Sequence, residues 1–199
     1  MGDPAALSDG EGALARDLES RGMTVAVAPA AGPGSLADGK SMIIASSNAD
    51  PAALATTFKD AAVPLLVFGR SFDVSLGMVA AGAGNTGGVD GSTALLAPTG
   101  AGTPLVADLA TGTAFTAHPS RSSTLAWATP GGTPIPVAAI GGAVNQAVVF
   151  GFERGVAMAT GSAAGRRVAL GWSIESYGAL SVPAYKLTLA AFKWAAATP

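Results

Sequence analysis

The hydrophobic positions in the first third of the chain alternate between helix-like stripes and short continuous apolar runs. Leu14 and Leu18 lie one helical turn apart and form one apolar face, as do Leu54 and Phe58 further along. Around these stripes stand the runs "MTVAV", "SMIIA" and "PLLVFG", and continuous apolar runs are typical of strands covered on both faces. The pattern predicts helices and parallel strands in alternation. The helices are expected over residues 9–21 and 52–61, and the strands over residues 24–27, 42–45 and 65–68.

Capping residues mark the ends of the two predicted helices. Ser8 stands three residues before Glu11, which is the spacing of a capping box, and Gly22 can supply a left-handed stop. Asn48 or Asp50 can cap the second helix, whose first turn holds a proline where no N–H is needed. Both helices therefore begin with local signals in the sequence.

The remainder of the chain changes character. Residues 82–136 are rich in Gly, Thr, Pro and Ala and contain the β-like runs "STALLAP", "TAFTAH" and "TLAWAT". This segment predicts small antiparallel hairpins or an irregular insertion. Two later apolar runs predict antiparallel strands near residues 147–152 and 168–171, and a helical stripe predicts a last helix over residues 182–196. The expected fold class is α/β, with a mainly parallel sheet extended by antiparallel C-terminal strands.

Composition narrows the possible functions. A chain of 199 residues that is 49% hydrophobic can bury one sizeable core, so we expect a single domain over residues 1–199. Charged residues make up 12% and the formal net charge is −2, which disfavours binding to nucleic acid. The absence of cysteine excludes disulfides, thiol catalysis and thiolate metal sites. No uninterrupted apolar run approaches the roughly 20 residues that a membrane span needs.

Several stretches carry a resemblance to a known family. "GDPAALSDGEGALARDLESRGMTVAV", "VPLLVFGRSFDVSLGM", "AVVFGFERGVAMATG" and "RRVALGW" followed by "AAFKWAA" resemble bacterial domains of the class I glutamine amidotransferase-like superfamily, in particular its ThuA-like branch. The resemblance implies a flavodoxin-like three-layer sandwich, and we expect no cofactor. It also implies a module of a larger secreted or cell-surface bacterial protein, with a cytoplasmic location as the alternative. Its expected partners are other domains of that protein or a second copy of the chain.

The opening residues depart from this family pattern. In the related domains an apolar first strand precedes the "GD" turn, whereas here only Met1 stands before it. We expect that this strand has been lost or that the protein starts further upstream. In a flavodoxin-like sheet the first strand lies between two others, so its position must be filled. "MTVAV" pairing directly with "SMIIA", another strand of the chain, or a strand from a second molecule are the alternatives.

The resemblance also argues against catalysis. Amidotransferases of this superfamily use a cysteine at a strand-to-helix elbow, where this chain offers Ser71 as the nearest nucleophile. The surrounding G-x-S-x-D lacks the second glycine of hydrolase elbows. ThuA-like domains tend to carry a "HP" pair after the middle strand, and Thr103 stands in the corresponding place before Pro104. We therefore expect a non-catalytic module with a binding, spacer or assembly role.

A divergent serine hydrolase is the main alternative. It would use Ser71 as nucleophile, His118, the one histidine of the chain, as base, and Asp73 as acid. The other candidates for the acid are Asp90, Asp108, Glu153 and Glu175.

A carbohydrate- or cation-binding module is a weaker alternative. Trp172 at a strand end, Glu175 beside it and Asp90 in a glycine-rich loop are the candidate ligand-binding residues. We expect no metal site, because no spacing resembles a calcium loop. The match of "GAGNTG" to a dinucleotide fingerprint precedes a β-like run instead of a helix, which argues against nucleotide binding. Packing is expected for Trp127 and Trp194, and exposed turn positions for Arg121, Arg166 and Arg167.

Overall fold

The computed structural model describes residues 6–69, 71–96, 103–107, 109–119 and 123–197, without the side chains of Ser71 and Leu96. It is a mixed α/β structure, in agreement with the expected class. Its helices are α1 (Asp9–Ser20), α2 (Pro51–Phe58), α3 (Ser71–Ser75) and α4 (Val182–Ala196), and 3-10 turns cover Gly34–Ala37, Pro104–Val106 and Ile174–Ala179. The strands are β1 (Ile43–Ala45), β2 (Leu65–Phe68), β3 (Thr86–Asp90), β4 (Ala94–Leu96), β5 (Ala114–Thr116), β6 (Thr124–Ala128), β7 (Ile135–Ile140), β8 (Ala143–Phe152) and β9 (Arg167–Leu170).

One sheet combines parallel and antiparallel pairings. Its order is β1-β2-β9-β8-β7-β4-β5, and β6 joins it through β8 and carries β3. The pairings of β1 with β2 and of β2 with β9 are parallel, with Leu66 opposite Val168. β8 then runs antiparallel to β9, so β9 links the two parts of the sheet. The β-like runs predicted in residues 82–136 form β4, β5 and β6 of this same sheet, where β4 pairs antiparallel with β5, and β6 pairs antiparallel with β3.

One predicted strand is absent from the sheet. Residues 24–27 belong to no helix or strand, and residues 24–28 make no backbone hydrogen bond with another described residue. A strand exists only where a neighbour pairs with its backbone, and an apolar β-like run cannot supply that neighbour itself. The prediction of a paired strand at residues 24–27 is therefore wrong for the described structure.

The helix starts follow the predicted local signals. The Glu11 N–H donates to Ser8 Oγ at 3.3 Å and the Ser8 N–H donates to Glu11 Oε2 at 2.9 Å, so the capping box is formed. Asp50, not Asn48, caps α2, because its carboxylate accepts the Ala52 N–H at 2.9 Å. The Asn48 side chain therefore does not cap α2.

Helices cover both faces of the parallel strands. Leu66 and Phe68 of β2 point into one apolar core, which also contains side chains of α1 and α4. Leu65 and Val67 of the same strand point into a second core with side chains of α2 and α3. The period of two along a strand thus divides the apolar residues between two helical layers.

Arg167 contradicts the expectation of an exposed turn residue. It is buried at the start of β9, and its guanidinium donates to four backbone carbonyls. Burial lowers the pKa of Arg167 to about 10, against the attraction of Asp60. The side chain ties the loop between α2 and β2 to the sheet, because its carbonyl partners belong to Lys59, Ala61, Val63 and Arg166.

Candidate functional site

Polar residues follow the carboxyl ends of the three parallel strands. Ser46, Ser47 and Asn48 come after β1, the short helix α3 comes after β2, and Glu175 comes shortly after β9. In open α/β sheets, ligands bind outside the carboxyl ends of the strands. This edge is therefore where a catalytic or ligand-binding site is expected.

The side chains at this edge bond to one another. Asn48 Nδ2 donates to Glu175 Oε1, the Ile174 N–H donates to Ser47 Oγ at 3.1 Å, and the Asn48 N–H donates to Ser46 Oγ at 3.2 Å. Hydrogen bonds from Ser8 and Asn48 lower the pKa of Glu175. We call Ser8, Ser46, Ser47, Asn48 and Glu175 the edge cluster. Its hydrogen bonds join the loop after β1, the start of α1 and the turn after β9.

Asp73 is buried beside this edge without a partner for its carboxyl group. The residue lies in α3, it is 4% exposed, and its Oδ1 has no hydrogen-bond partner. Burial raises the pKa of Asp73 to about 8, so the carboxyl group is largely protonated at neutral pH. Ser71 begins the same helix, and its side chain lies outside the described part of the structure.

His118 is buried after β5. Its backbone N–H donates to the Gly91 carbonyl at 3.2 Å, and a Cβ on Gly91 would lie 3.0 Å from His118 Cδ2 and 2.1 Å from Ser123 Oγ. Neither ring nitrogen has a hydrogen-bond partner among the described residues. Burial lowers the pKa of the imidazole, with an opposing influence from the Ala179 backbone. His118 is not hydrogen-bonded to Asp73. Neither ring nitrogen of His118 has a hydrogen-bond partner among the described residues, and Asp73 Oδ1 has none either.

The candidate ligand-binding residues are engaged within the fold. Trp172 is fully buried, and its Nε1 has no hydrogen-bond partner, so its ring offers no face to a sugar. Asp90 ends β3, and its Oδ1 accepts the Ser92 N–H at 2.8 Å and the Ser92 hydroxyl at 2.7 Å. Of the remaining acid candidates, Glu153 pairs with Arg166 at 2.9 Å, and Asp108 lies outside the described residues.

The other sequence features are structural where they are described. The glycine-rich loop leads into β3, where a Cβ on Gly87 would lie 2.4 Å from a ring carbon of Trp127. Trp194 is buried in α4, with the Arg166 guanidinium 4.9 Å from its ring centroid. Arg121 lies outside the described residues. Within the described ranges, no three acidic or histidine side chains form a group that could hold a metal ion.

Sequence reasoning missed Asn48 as the partner of Glu175. The signal was available, since both residues follow apolar runs that were predicted to be strands of one sheet. The carboxyl ends of parallel strands meet at one edge, but β1 and β9 were not known to flank the same neighbour, β2.

A cavity of about 470 Å³ lies at the carboxyl end of β1, beside the edge cluster. Ser8, Glu11, Asn48 and Asp50 supply its polar side chains, and the rest of its lining consists mostly of alanine. Asn48 is already hydrogen-bonded within the fold, whereas Glu11 is bonded through Oε2 only and its buried Oε1 has no partner among the described residues.

No described helix has the length and apolar content that crossing a membrane requires. A comparison with known proteins finds neither a family model nor a curated protein that matches the chain.

Proposed function

We propose that the chain is a non-catalytic, amidotransferase-like module with a flavodoxin-like arrangement. It acts as a binding, spacer or assembly domain of a larger bacterial surface or secreted protein. The observation that carries this proposal is the closed edge cluster. At the edge where an α/β enzyme keeps its reactive groups, Glu175, Asn48 and Ser47 are used to hold loops together.

The buried titratable groups support the same conclusion. A Ser-His-Asp site requires a base that bonds both the nucleophile and an ionised acid. Asp73 is held largely protonated at neutral pH by burial, and neither ring nitrogen of His118 has a partner among the described residues. A neutral carboxyl group without a hydrogen bond to the imidazole cannot stabilise the imidazolium that forms in acyl transfer.

The arrangement of layers supports the fold part of the proposal. α1 and α4 cover one face of the parallel strands, and α2 and α3 cover the other. This distribution is what a doubly wound sheet requires, because right-handed connections place successive helices on defined faces. The resemblance of the sequence to ThuA-like domains is the support for the bacterial, secreted context.

Hydrolysis assays test the proposal. The purified chain and its Ser71→Ala variant are compared on glutamine, a p-nitrophenyl ester and p-nitrophenyl glycosides. We expect the two proteins to give the same rate, equal to the background without protein. A rate well above background that Ser71→Ala abolishes, with an unchanged circular dichroism spectrum, would establish the hydrolase instead. His118→Asn then identifies the base.

A further inference from the structure

A second, larger cavity lies next to β1 and shares two lining residues with the cavity beside the edge cluster. It has a volume of about 700 Å³, and we call it the β1 cavity. Leu7 and Glu11 line both cavities. Sites that hold small molecules have volumes of about 300–1,000 Å³, so the β1 cavity is large enough for a ligand.

The β1 cavity is lined mostly by apolar residues. Leu14 and Leu18 of α1 line it from one helical layer, and Phe58 of α2 lines it from the other. Residues 42–46 also line it, with the exception of Ala45, and they give it a length of about 13 Å at about 3.3 Å per residue. A cavity that is apolar on both sides and elongated suits an extended hydrocarbon chain.

Exposed apolar side chains gather at the β1 cavity. Six large hydrophobic side chains are exposed among the described residues, and three of them line this cavity. They are Leu7, Met23 and Leu36, which are 39%, 36% and 37% exposed. Exposed apolar side chains need no explanation when they are scattered, but a group of them at one cavity indicates a binding surface.

Glu11 is the charged residue that the two cavities share. Its Oε2 accepts the Ser8 N–H at 2.9 Å, whereas its buried Oε1 has no partner among the described residues. A buried carboxylate oxygen without a donor is unfavourable, so this end of the β1 cavity favours a group that donates hydrogen bonds. Asp50 is a second carboxylate in the smaller cavity, and no described Lys, Arg or His lines that cavity.

An anionic group fits this end poorly. Backbone N–H groups at helix starts can bind anions, but here the Ala52 N–H donates to Asp50 at 2.9 Å and the Glu11 N–H donates within its own capping box. Lys40 and Asp38 line the β1 cavity before the start of β1, so opposite charges are balanced there. The uncompensated charge of the two cavities is therefore negative and lies at the carboxyl end of β1.

We propose that the β1 cavity binds an amphipathic primary amine, with its hydrocarbon tail between the two helical layers and its ammonium group at Glu11. The ammonium group donates to Oε1 of Glu11, and the Asp50 carboxylate adds to the attraction. The tail packs against Leu14, Leu18 and Phe58 and is removed from water. Binding of this kind uses no reactive group. The inference therefore goes beyond the proposed function and is independent of the outcome of the hydrolysis assays.

Calorimetric titration of the full chain at pH 7 tests the inference with probes that differ in one part at a time. The probes are n-octylamine, n-octanol and octanoate, which share a tail, and n-butylamine, which has a shorter one. The amines are protonated at this pH, as a lysine side chain is. We expect one molecule of n-octylamine to bind per chain. The other three probes are expected to bind at least tenfold more weakly.

A matched pair of substitutions in α1 places the ammonium group. Glu11→Gln removes the charge but keeps the capping box, since a glutamine can also accept the Ser8 N–H. Glu19→Gln makes the same change on an exposed side chain of the same helix. We expect Glu11→Gln to weaken n-octylamine binding at least tenfold and to leave n-octanol binding unchanged, and Glu19→Gln to change neither. Circular dichroism and urea unfolding check that both variants are folded.

A third substitution places the tail. Ala15 lies one turn after Glu11 and lines the β1 cavity, so Ala15→Leu fills part of the space that the tail occupies. We expect this variant to bind n-octylamine at least fivefold more weakly than the wild type. Unchanged binding in a folded Ala15→Leu variant would mean that the tail lies elsewhere and would overturn the proposal.

Four results of the titrations would also overturn the proposal. Absence of saturable n-octylamine binding would show that the cavity takes no such ligand, and several molecules bound per chain would show adsorption to the surface. Octanoate binding as tight as that of n-octylamine would indicate an anion site. Equal effects of Glu11→Gln and Glu19→Gln would show that the ammonium group does not contact Glu11.

Discussion

The phenolic hydroxyl of Tyr177 donates a 2.6 Å hydrogen bond to Oδ2 of Asp17, joining the turn after β9 to α1. Tyr185 of α4 donates to the same carboxylate at 3.0 Å, and Arg21 Nε donates to it at 3.2 Å. One carboxylate therefore holds three segments together. Since α1 lines a cavity of about 700 Å³ next to β1, this cluster also fixes one wall of that cavity.

Removal of the Tyr177 hydroxyl is expected to destabilise the protein in a pH-dependent way. Burial raises the pKa of Asp17, but the hydrogen bonds from Tyr177, Arg21 and Tyr185 outweigh it and the net pKa is lowered. A lowered pKa contributes stability above the unfolded value of 3.8 and loses it as the pH falls through the folded value. Tyr177→Phe should cost about 1–2 kcal/mol near pH 7 and less in acid.

Urea unfolding of the wild type and Tyr177→Phe between pH 3 and pH 7 measures this difference. Phenylalanine keeps the ring that packs edge-on against Phe68, so the comparison isolates the hydroxyl. A difference that is the same at every pH would show that the hydroxyl does not act through the Asp17 carboxylate.

Replacing two glycines of α1 by alanine is expected to change the free energy of unfolding in opposite directions. A Cβ on Gly10 would lie 2.2 Å from the Ile174 carbonyl oxygen, because α1 approaches the turn after β9 closely there. Gly10→Ala should therefore cost about 1–3 kcal/mol. A Cβ on Gly12 meets only the flexible Arg16 side chain at 3.3 Å, so Gly12→Ala should gain up to about 1 kcal/mol of helix propensity. Urea unfolding of both variants measures these changes. Equal changes in the free energy of unfolding would contradict the close approach of α1 to the turn after β9.

Local signals explain how much of the fold could be predicted. The Ser8–Glu11 box and the cap of α4 at Ser181, whose Oγ accepts the Ala184 N–H at 3.3 Å, depend only on neighbours in sequence. The helix over residues 182–196 accordingly has the predicted bounds. Helix ends that are set by neighbouring residues were therefore predicted correctly.

Features that depend on residues far away in the sequence could not be predicted from local signals. The run at residues 24–27 looks like a strand, yet strand formation depends on a neighbour that the run does not specify. Arg167 is charged and follows a turn, and only the four carbonyls around it make its burial tolerable. The burial of Trp172 depends on its place next to β6, through a bridge to Leu125.

Substitution of Arg167 is expected to destabilise the protein strongly, although the residue is charged and follows a turn. Its guanidinium satisfies carbonyls of the loop between α2 and β2, and hydrogen bonds of charged donors are worth about 1.5–3 kcal/mol each before desolvation is counted. We expect Arg167→Met to cost about 2–4 kcal/mol. Arg16→Met, which removes the same group from the exposed face of α1, should change the free energy of unfolding by less than about 0.5 kcal/mol. Similar effects would place Arg167 outside the core.

The Asp73→Asn variant tests both the burial of this carboxyl group and its exclusion from catalysis. The folded pKa of about 8 lies above the unfolded value of 3.8. Between these values the unfolded chain is ionised while the folded chain holds the proton, so the wild type loses stability as the pH rises. The slope approaches about 1.4 kcal/mol per pH unit at most, and the loss ends above the folded pKa.

Asparagine cannot ionise, so Asp73→Asn should become more stable than the wild type by a margin that grows from pH 5 to pH 8. Urea unfolding at pH 5, 6, 7 and 8 measures this margin. His118, whose pKa is lowered by burial, is present in both proteins, so its contribution cancels in their difference. Parallel profiles would mean that Asp73 is ionised in the folded chain, as the acid of a Ser-His-Asp site must be. That result would remove one of the main arguments for a non-catalytic module and would favour the hydrolase.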